Sequence, residues 1–309
     1  MSHIIFGTGP VGLAIMQELV KRGETNIKMV NRSGKGNVPA GVQIIKGDAT
    51  DPEFTKQVSQ GASVIYHALN VLYHQWFEFF PKLNKGMIAA AESSGATLVV
   101  MDNLYMHDTR PGKPFTEDMP YDAKTRKGKL RAELAQELLE AHRQGRIKLV
   151  IVRASDFFGP GVEASAMGGS RVIVPAIQGK GVQIMGKADV LHTYSYVPDV
   201  AKAMVMLGGR EEALGKVWHV PVAETLTTRQ FIEQIYKETG GTAKIQPAPK
   251  IAVRILGLFN PVVREIVEML PQFEQDYVMS GDKFKSTFGD IATPLDKAIH
   301  ETVTYFKNQ

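Results

Sequence analysis

Gly7, Gly9 and Gly12 follow the apolar run Ile4-Ile5-Phe6, in the order Gly7-Thr8-Gly9-Pro10-Val11-Gly12. Where such a G-x-G-x-x-G segment joins a strand to a helix, the chemistry it suits is diphosphate binding. The first glycine allows a sharp turn, the second lets backbone approach a pyrophosphate, and the third lets helix and strand pack closely. The phosphates then face free N–H groups and the positive end of the helix dipole. The surroundings agree with this use. Leu13, Ile15, Met16, Leu19 and Val20 repeat at helical spacing behind the turn, and Asn26 to Val30 reads as a second strand. The chain is therefore expected to bind a dinucleotide.

The second strand ends Met29-Val30-Asn31-Arg32-Ser33. An acidic residue at position 31 would hold the ribose 2′-OH of NAD. Asn31 stands there instead, followed by Arg32 and Ser33. A carboxylate repels a 2′-phosphate and an arginine pairs with it, so NADP(H) is expected in preference to NAD(H).

Alternating strands and helices must position these residues. Strands are expected at Val42 to Ile45, Val64 onward, Leu98 to Met101 and Leu149 to Val152. Helices are expected from Pro52, over Trp76 to Glu92 with Pro81 kinking or dividing it, and over Lys127 to Arg143. That alternation implies an α/β fold, a Rossmann-type doubly wound parallel sheet. Hydrophobic residues make up 44% of the 309, enough for a large core. The formal charge of +4 is scattered and forms no basic block, so neither nucleic acid nor a membrane surface is expected as partner. There is no cysteine, which excludes disulfides and thiolate chemistry, and the eight histidines show no ligand spacing, so no metal is expected. The first strand begins at the N-terminus, leaving no room for a signal peptide, and no apolar run reaches spanning length. A cytoplasmic protein is the expectation.

The glycine turn, Gly47-Asp48-Ala49 and Ile65-Tyr66-His67-Ala68 together resemble the extended short-chain dehydrogenase/reductases, the group of NAD(P)-dependent epimerases and dehydratases. The resemblance implies that Asp48 and Ala49 sit by the adenine and that Ala68, Leu69 and Asn70 line the cofactor's path. Gly128-Lys129-Leu130-Arg131-Ala132-Glu133 resembles the family's Ser-Lys-Leu-x-x-Glu segment, which makes Lys129 the counterpart of the family lysine that holds the nicotinamide ribose. Family members place a Tyr four residues before that Lys and a Ser or Thr after the fifth strand. Here Thr125 and Met101-Asp102-Asn103 occupy those positions. An unactivated threonine hydroxyl is far less acidic than a phenol. The proton is then left to Tyr105 or Tyr66 from a loop, to Tyr121 with Lys124, or to Lys129 itself.

Val152-Arg153-Ala154-Ser155-Asp156-Phe157-Phe158-Gly159-Pro160-Gly161 resembles the family's strand-to-loop segment, implying that Ala154 to Phe157 pass beside nicotinamide, with Asp156 where relatives carry a substrate-facing Asn. His192-Thr193-Tyr194-Ser195-Tyr196-Val197-Pro198-Asp199-Val200-Ala201 resembles a later family segment. His192 there replaces an Arg that grips a substrate diphosphate, which argues against a sugar nucleotide. Val172 to Pro175, Gln183 to Met185 and Gly215 to Val220 read as strands. Thr227 is expected to cap a helix over Thr228 to Thr239 that Gly240-Gly241 ends, and Thr293 to cap a last helix. The apolar stretch Ile251 to Leu270, split by Pro261, reads as a pocket wall or core.

The organisation expected is a cofactor domain from residues 1–155 plus about 192–220, with a smaller interleaved lobe from about 156–191 plus 221–309. The leading functional expectation is an NADP-dependent oxidoreductase with an atypical site. It would act on a small carbonyl or alcohol, with Asp156, Phe158 and His192 toward the substrate. The alternatives are a non-catalytic NADP(H)-sensing regulator and a sugar-nucleotide epimerase or dehydratase. Relatives dimerise through helices near 76–92 and 127–143, so a homodimer is a further expectation.

Overall fold

The computed structural model describes residues 1–110, 112–248, 259, 265 and 267–309. The chain divides into two compact units. The first comprises Met1–Met106, Tyr121–Arg153 and Val200–Trp218, and the second His107–Pro120, Ala154–Asp199 and His219–Gln309.

The first unit is built on a seven-stranded sheet. Its strands are β1 (Ser2–Phe6), β2 (Asn26–Asn31), β3 (Val42–Lys46), β4 (Val64–His67), β5 (Thr97–Asp102), β6 (Lys148–Arg153) and β11 (Lys216–His219). The spatial order is β11-β6-β5-β4-β1-β2-β3, and every pair from β3 through β6 is parallel. The fold is Rossmann-like: order 3-2-1-4-5-6 with helical crossovers. Both sheet faces are covered, so the central strands are apolar throughout. Ile4, Phe6, Ile65, Leu98, Val100, Leu149 and Ile151 join one core cluster with α3 (Trp76–Ser94) and α4 (Arg126–Arg143). On the opposite face Ile5 meets α1 (Pro10–Lys21), while Val64 and Val99 meet α6 (Val197–Gly208).

The helix over Trp76–Ser94 is continuous, with Pro81 inside it. Its one missing N–H falls in the second turn, where the buried Trp76, Phe80 and Leu83 hold the helix in place.

Among the described residues, the second unit contains three two-stranded sheets. β7 (Asp156–Phe158) pairs with β10 (Tyr194–Tyr196), β8 (Val182–Ile184) with β13 (Ile245–Pro247), and β9 (Leu191–His192) with β12 (Leu226–Thr227). Its core combines aliphatic side chains with Phe158, Tyr194, Tyr196, Phe231, Tyr236 and Phe273, and Tyr194 stacks on Phe231 at 4.0 Å. The stretch His107–Pro120 adds an edge, where Phe115 N donates to Val278 O at 2.7 Å and Ser280 N to Phe115 O at 2.9 Å.

Two local expectations are corrected here. Val172 to Pro175 is not a strand but part of α5 (Ser170–Ile177), because Val172, Ile173 and Ala176 bury one helical face. Tertiary packing overrides the β-branched run. Thr293 does not cap the last helix, which follows Pro294; its amide and hydroxyl both donate to Asp199, at 2.7 Å. The Thr227 cap is present as a full capping box with Gln230 on α7 (Thr228–Thr239), and Gly240 ends that helix in the left-handed conformation. Most of the apolar stretch 251–270 lies outside the described residues. Among the described residues, no helix is long and apolar enough to cross a membrane.

Candidate functional site

The glycine turn is clamped from both sides. Gly7 has φ of +113°, and a side chain there would strike Ala68 O at 2.6 Å. Gly7 N donates to Val30 O at 3.0 Å and Ala68 N to Phe6 O at 2.9 Å, tying the turn to β2 and β4. A Cβ on Gly12 would lie 2.1 Å from Gly7 O, so the helix can seat here only on a glycine. Gly9 differs, because a Cβ there would meet nothing within 4 Å. It stands in extended backbone before Pro10, and no side chain caps α1 and no acidic residue occupies its first turn. Open space before an uncapped, carboxylate-free helix start fits a phosphate group.

Asn31 joins two loops. Its amide donates to Thr8 Oγ1 at 3.0 Å and to Lys35 O at 2.8 Å, and its carbonyl accepts from Gly34 N at 2.6 Å and the Ser33 hydroxyl at 3.1 Å. Arg32 and Ser33 are exposed on the loop so formed. Asp48 is exposed and accepts from both the amide and the hydroxyl of Thr50, while Ala49 is buried. Ala68 and Leu69 are half-buried and Asn70 exposed.

Lys129 is exposed on α4, whereas Lys127, two residues earlier, is wholly buried with its Nζ 5.4 Å from the Tyr73 ring centre. Two positions along a helix turn a side chain by roughly 200°. Thr125 caps α4 by accepting from Gly128 N at 3.1 Å. Tyr105 shares a 2.9 Å hydrogen bond with Tyr73 and stacks on Trp76. Tyr121 is half-buried, and its hydroxyl accepts from Arg153 at 2.6 Å, with the guanidinium also 4.9 Å from its ring centre. Tyr66, the other loop candidate, is wholly buried in β4, and burial pushes its phenol far up.

Arg153 leads to a buried group that sequence reasoning missed. Its Nε donates to Asp102 Oδ2 at 3.1 Å, while Arg131 holds the other oxygen through Nε at 3.0 Å and through Nη2. Burial alone would raise the Asp102 carboxyl, but the two guanidiniums bring it below its ordinary value. His67 lies nearby with Asp102 and Arg131 on a small cavity of about 10 Å³. Burial, then the Arg131 charge, pushes its imidazole down to about 3. Its Nδ1 accepts from Leu69 N at 3.3 Å. His67, Asp102 and Arg153 are the last residues of β4, β5 and β6, the carboxyl end where such sheets bind ligands. The signal for them was a charged or polar residue ending each apolar run.

In the second unit, Ala154 is buried and Phe157 half-buried. Phe158 is 2% exposed and packs against Tyr196 and Phe231, and with Tyr194, Tyr196 and Asp199 it lines a small cavity. His192 is likewise fully buried and so presents no surface to a substrate; its Nε2 bonds to Asp156 Oδ2 at 3.0 Å.

Comparison with known proteins gives these geometries a family. The chain matches solved structures over its whole length at low identity, which speaks to fold alone. A dTDP-glucose 4,6-dehydratase from Bacillus anthracis in complex with NAD superposes with a TM-score of 0.78 at 16% identity, covering 100% of this chain and 97% of that one. A Thermus thermophilus UDP-glucose 4-epimerase complexed with NAD gives 0.77 at 20% identity, covering 99% of each. A Bacillus cereus UDP-glucuronic acid 4-epimerase in complex with UDP-glucuronic acid and NAD gives 0.78 at 16%, covering 100% and 99%. Comparison with curated proteins finds no significant match. The family model of the NAD dependent epimerase/dehydratase family matches residues 4–220, and the chain belongs to that family.

Proposed function

We propose that the protein is an NADP(H)-dependent oxidoreductase acting on a small carbonyl or alcohol, with the dinucleotide held by the first unit and the substrate by the second. The observation that carries the cofactor reading is the end of β2. Asn31 is consumed in loop hydrogen bonds, no carboxylate occupies positions 31 to 33, and Arg32 is exposed. Gly7 to Gly12 would hold the diphosphate and Arg32 with Ser33 the 2′-phosphate; Asp48, Ala49 and Ala68 to Asn70 would flank the rest. When bound, the dinucleotide supplies or takes up a hydride.

The chain's own part is to hold and move a proton. Tyr121 Oη, fixed by Arg153, and Tyr105 Oη, bonded to Tyr73, are the hydroxyls that support this role, since each follows the carboxyl end of β5 or touches that of β6. An Arg153 that donates to the Tyr121 oxygen stabilises the charge left there when the proton departs. Lys129, exposed on α4, is suited at most to binding ribose.

A second reading, a sugar-nucleotide epimerase or dehydratase, draws support from the likeness to such enzymes across the second unit as well as the first. One set of measurements separates the two. Fluorescence quenching should show tighter binding of NADPH than NADH, and a carbonyl panel should include a compound that oxidises NADPH, with the turnover lost in Tyr121→Phe or Tyr105→Phe. Tighter NADH binding together with conversion of UDP-glucose would replace the first reading by the second.

A further inference from the structure

Asp156 and His192 form a pair in the second unit that the proton chemistry above does not use. His192 is wholly buried and lies in a box of rings, stacked on Phe273 at 5.6 Å and Tyr277 at 5.1 Å and tilted against Tyr194 at 4.9 Å. These contacts fix the plane of the imidazole. Its Nε2 faces Asp156 Oδ2 at 3.0 Å, and its Nδ1 is buried with no hydrogen-bond partner. A carboxylate oxygen only accepts, so the bond fixes a proton on Nε2. Burying a polar nitrogen without a partner costs stability, and the pair is formed in spite of that cost.

The consequence falls on the second oxygen of Asp156. The Asp156 side chain keeps 18% of its surface open, and among the described residues only His192 bonds to its carboxylate. One oxygen is therefore spent and oriented by a rigid ring, while the other accepts from none of the described residues. The backbone beneath it is fixed as well. Asp156 is in register with Tyr194 across β7 and β10, and the preceding Ser155 N donates to Ser195 Oγ at 3.0 Å.

We propose that Asp156, clamped by His192, is the specificity-determining residue of the second unit and selects a ligand group that donates a hydrogen bond, a hydroxyl, over an anionic one. This rests on the reading that the second unit takes the substrate. A carboxylate accepts from O–H and repels a second carboxylate or a phosphate, so the pair discriminates by charge at one position. His192 is a positioning residue: it sets which oxygen of Asp156 is presented.

The test uses the full chain saturated with NADPH and two probes matched in ring and size, glucose and glucuronate, with dissociation constants read by thermal shift or calorimetry. The expected result is a preference for glucose of at least about tenfold, since a like-charge contact is strongly disfavoured. Asp156→Asn, which keeps the shape and removes the charge, should bring the ratio near one. His192→Phe, which keeps the ring and drops the donor, should reduce it in part. Equal affinity of the wild-type chain for both sugars, binding of neither, or an unchanged ratio in Asp156→Asn would overturn the proposal. NADPH affinity measured on the same samples separates the two levels. Its absence would sink the functional reading itself, whereas NADPH binding without sugar discrimination would sink only the role of Asp156.

Discussion

Arg153 and Asp102 end adjacent parallel strands in register, and their side chains meet in a hydrogen bond of 3.1 Å from which bulk water is excluded. With Arg131 on the other oxygen, the carboxylate is held between two guanidiniums. Removing one member of such a group leaves its partners buried and uncompensated. Asp102→Asn should destabilise the chain by about 3 kcal/mol or more at neutral pH, measured by urea unfolding. The Asp102 carboxyl is lowered in the folded chain, so its contribution is complete above its unfolded value of 3.8 and disappears as pH falls through the lower folded value. The variant should lack that part of the acid limb.

His67 acts in a different range. Its folded value of about 3 lies below the ordinary 6.5, so the unfolded chain takes up the proton first. Stability from this residue is complete above pH 6.5 and declines as pH falls toward 3, by up to about 5 kcal/mol. His67→Gln keeps an acceptor for Leu69 N and removes the titration. Unfolding curves of the two proteins should diverge below pH 6.5, with the variant showing the shallower decline; parallel curves would refute the assignment.

The two later glycines of the turn should separate folding from binding. Gly12→Ala places a methyl group 2.1 Å from Gly7 O and should cost about 1–3 kcal/mol in stability. A Cβ at Gly9 meets nothing within 4 Å, so Gly9→Val extends into open space. It should leave stability within about 0.5 kcal/mol of wild type apart from local backbone preference, while NADPH affinity falls by tenfold or more. Chemical denaturation and NADPH titration of both variants check this.

Arg32→Ser should weaken NADPH by about tenfold, in line with the loss of a charge-assisted contact, and leave NADH nearly unchanged. Lys129→Ala, on an exposed helical position, should change stability by no more than about 0.5 kcal/mol. Equal losses of both nucleotides in Arg32→Ser would assign that side chain a general role rather than a selective one.

The parallel sheet was legible because its strands are short apolar runs separated by helical periods, and the Gly7-to-Gly12 spacing placed the turn without help from tertiary contacts. The site chemistry was less legible. Arg153 and Arg131 are separated from Asp102 by 51 and 29 residues, so their meeting depends on the order of strands rather than on any local pattern. Lys129 drew attention by likeness to a family segment, yet the burial of Lys127 follows from how α4 is rotated against the sheet. Val172 to Pro175 reads as a strand by residue type, and only packing of Val172, Ile173 and Ala176 into the core of the second unit makes it a helix.

The bond between Asn31 and Thr8 couples the loop that would choose a nucleotide to the turn that would grip it. Redesign of the chain for the other nicotinamide dinucleotide should therefore exchange residue 32 alone. Putting an aspartate at 31 would remove the amide donor from Thr8 and Lys35 together, and a change meant to alter selectivity would loosen the diphosphate cradle as well.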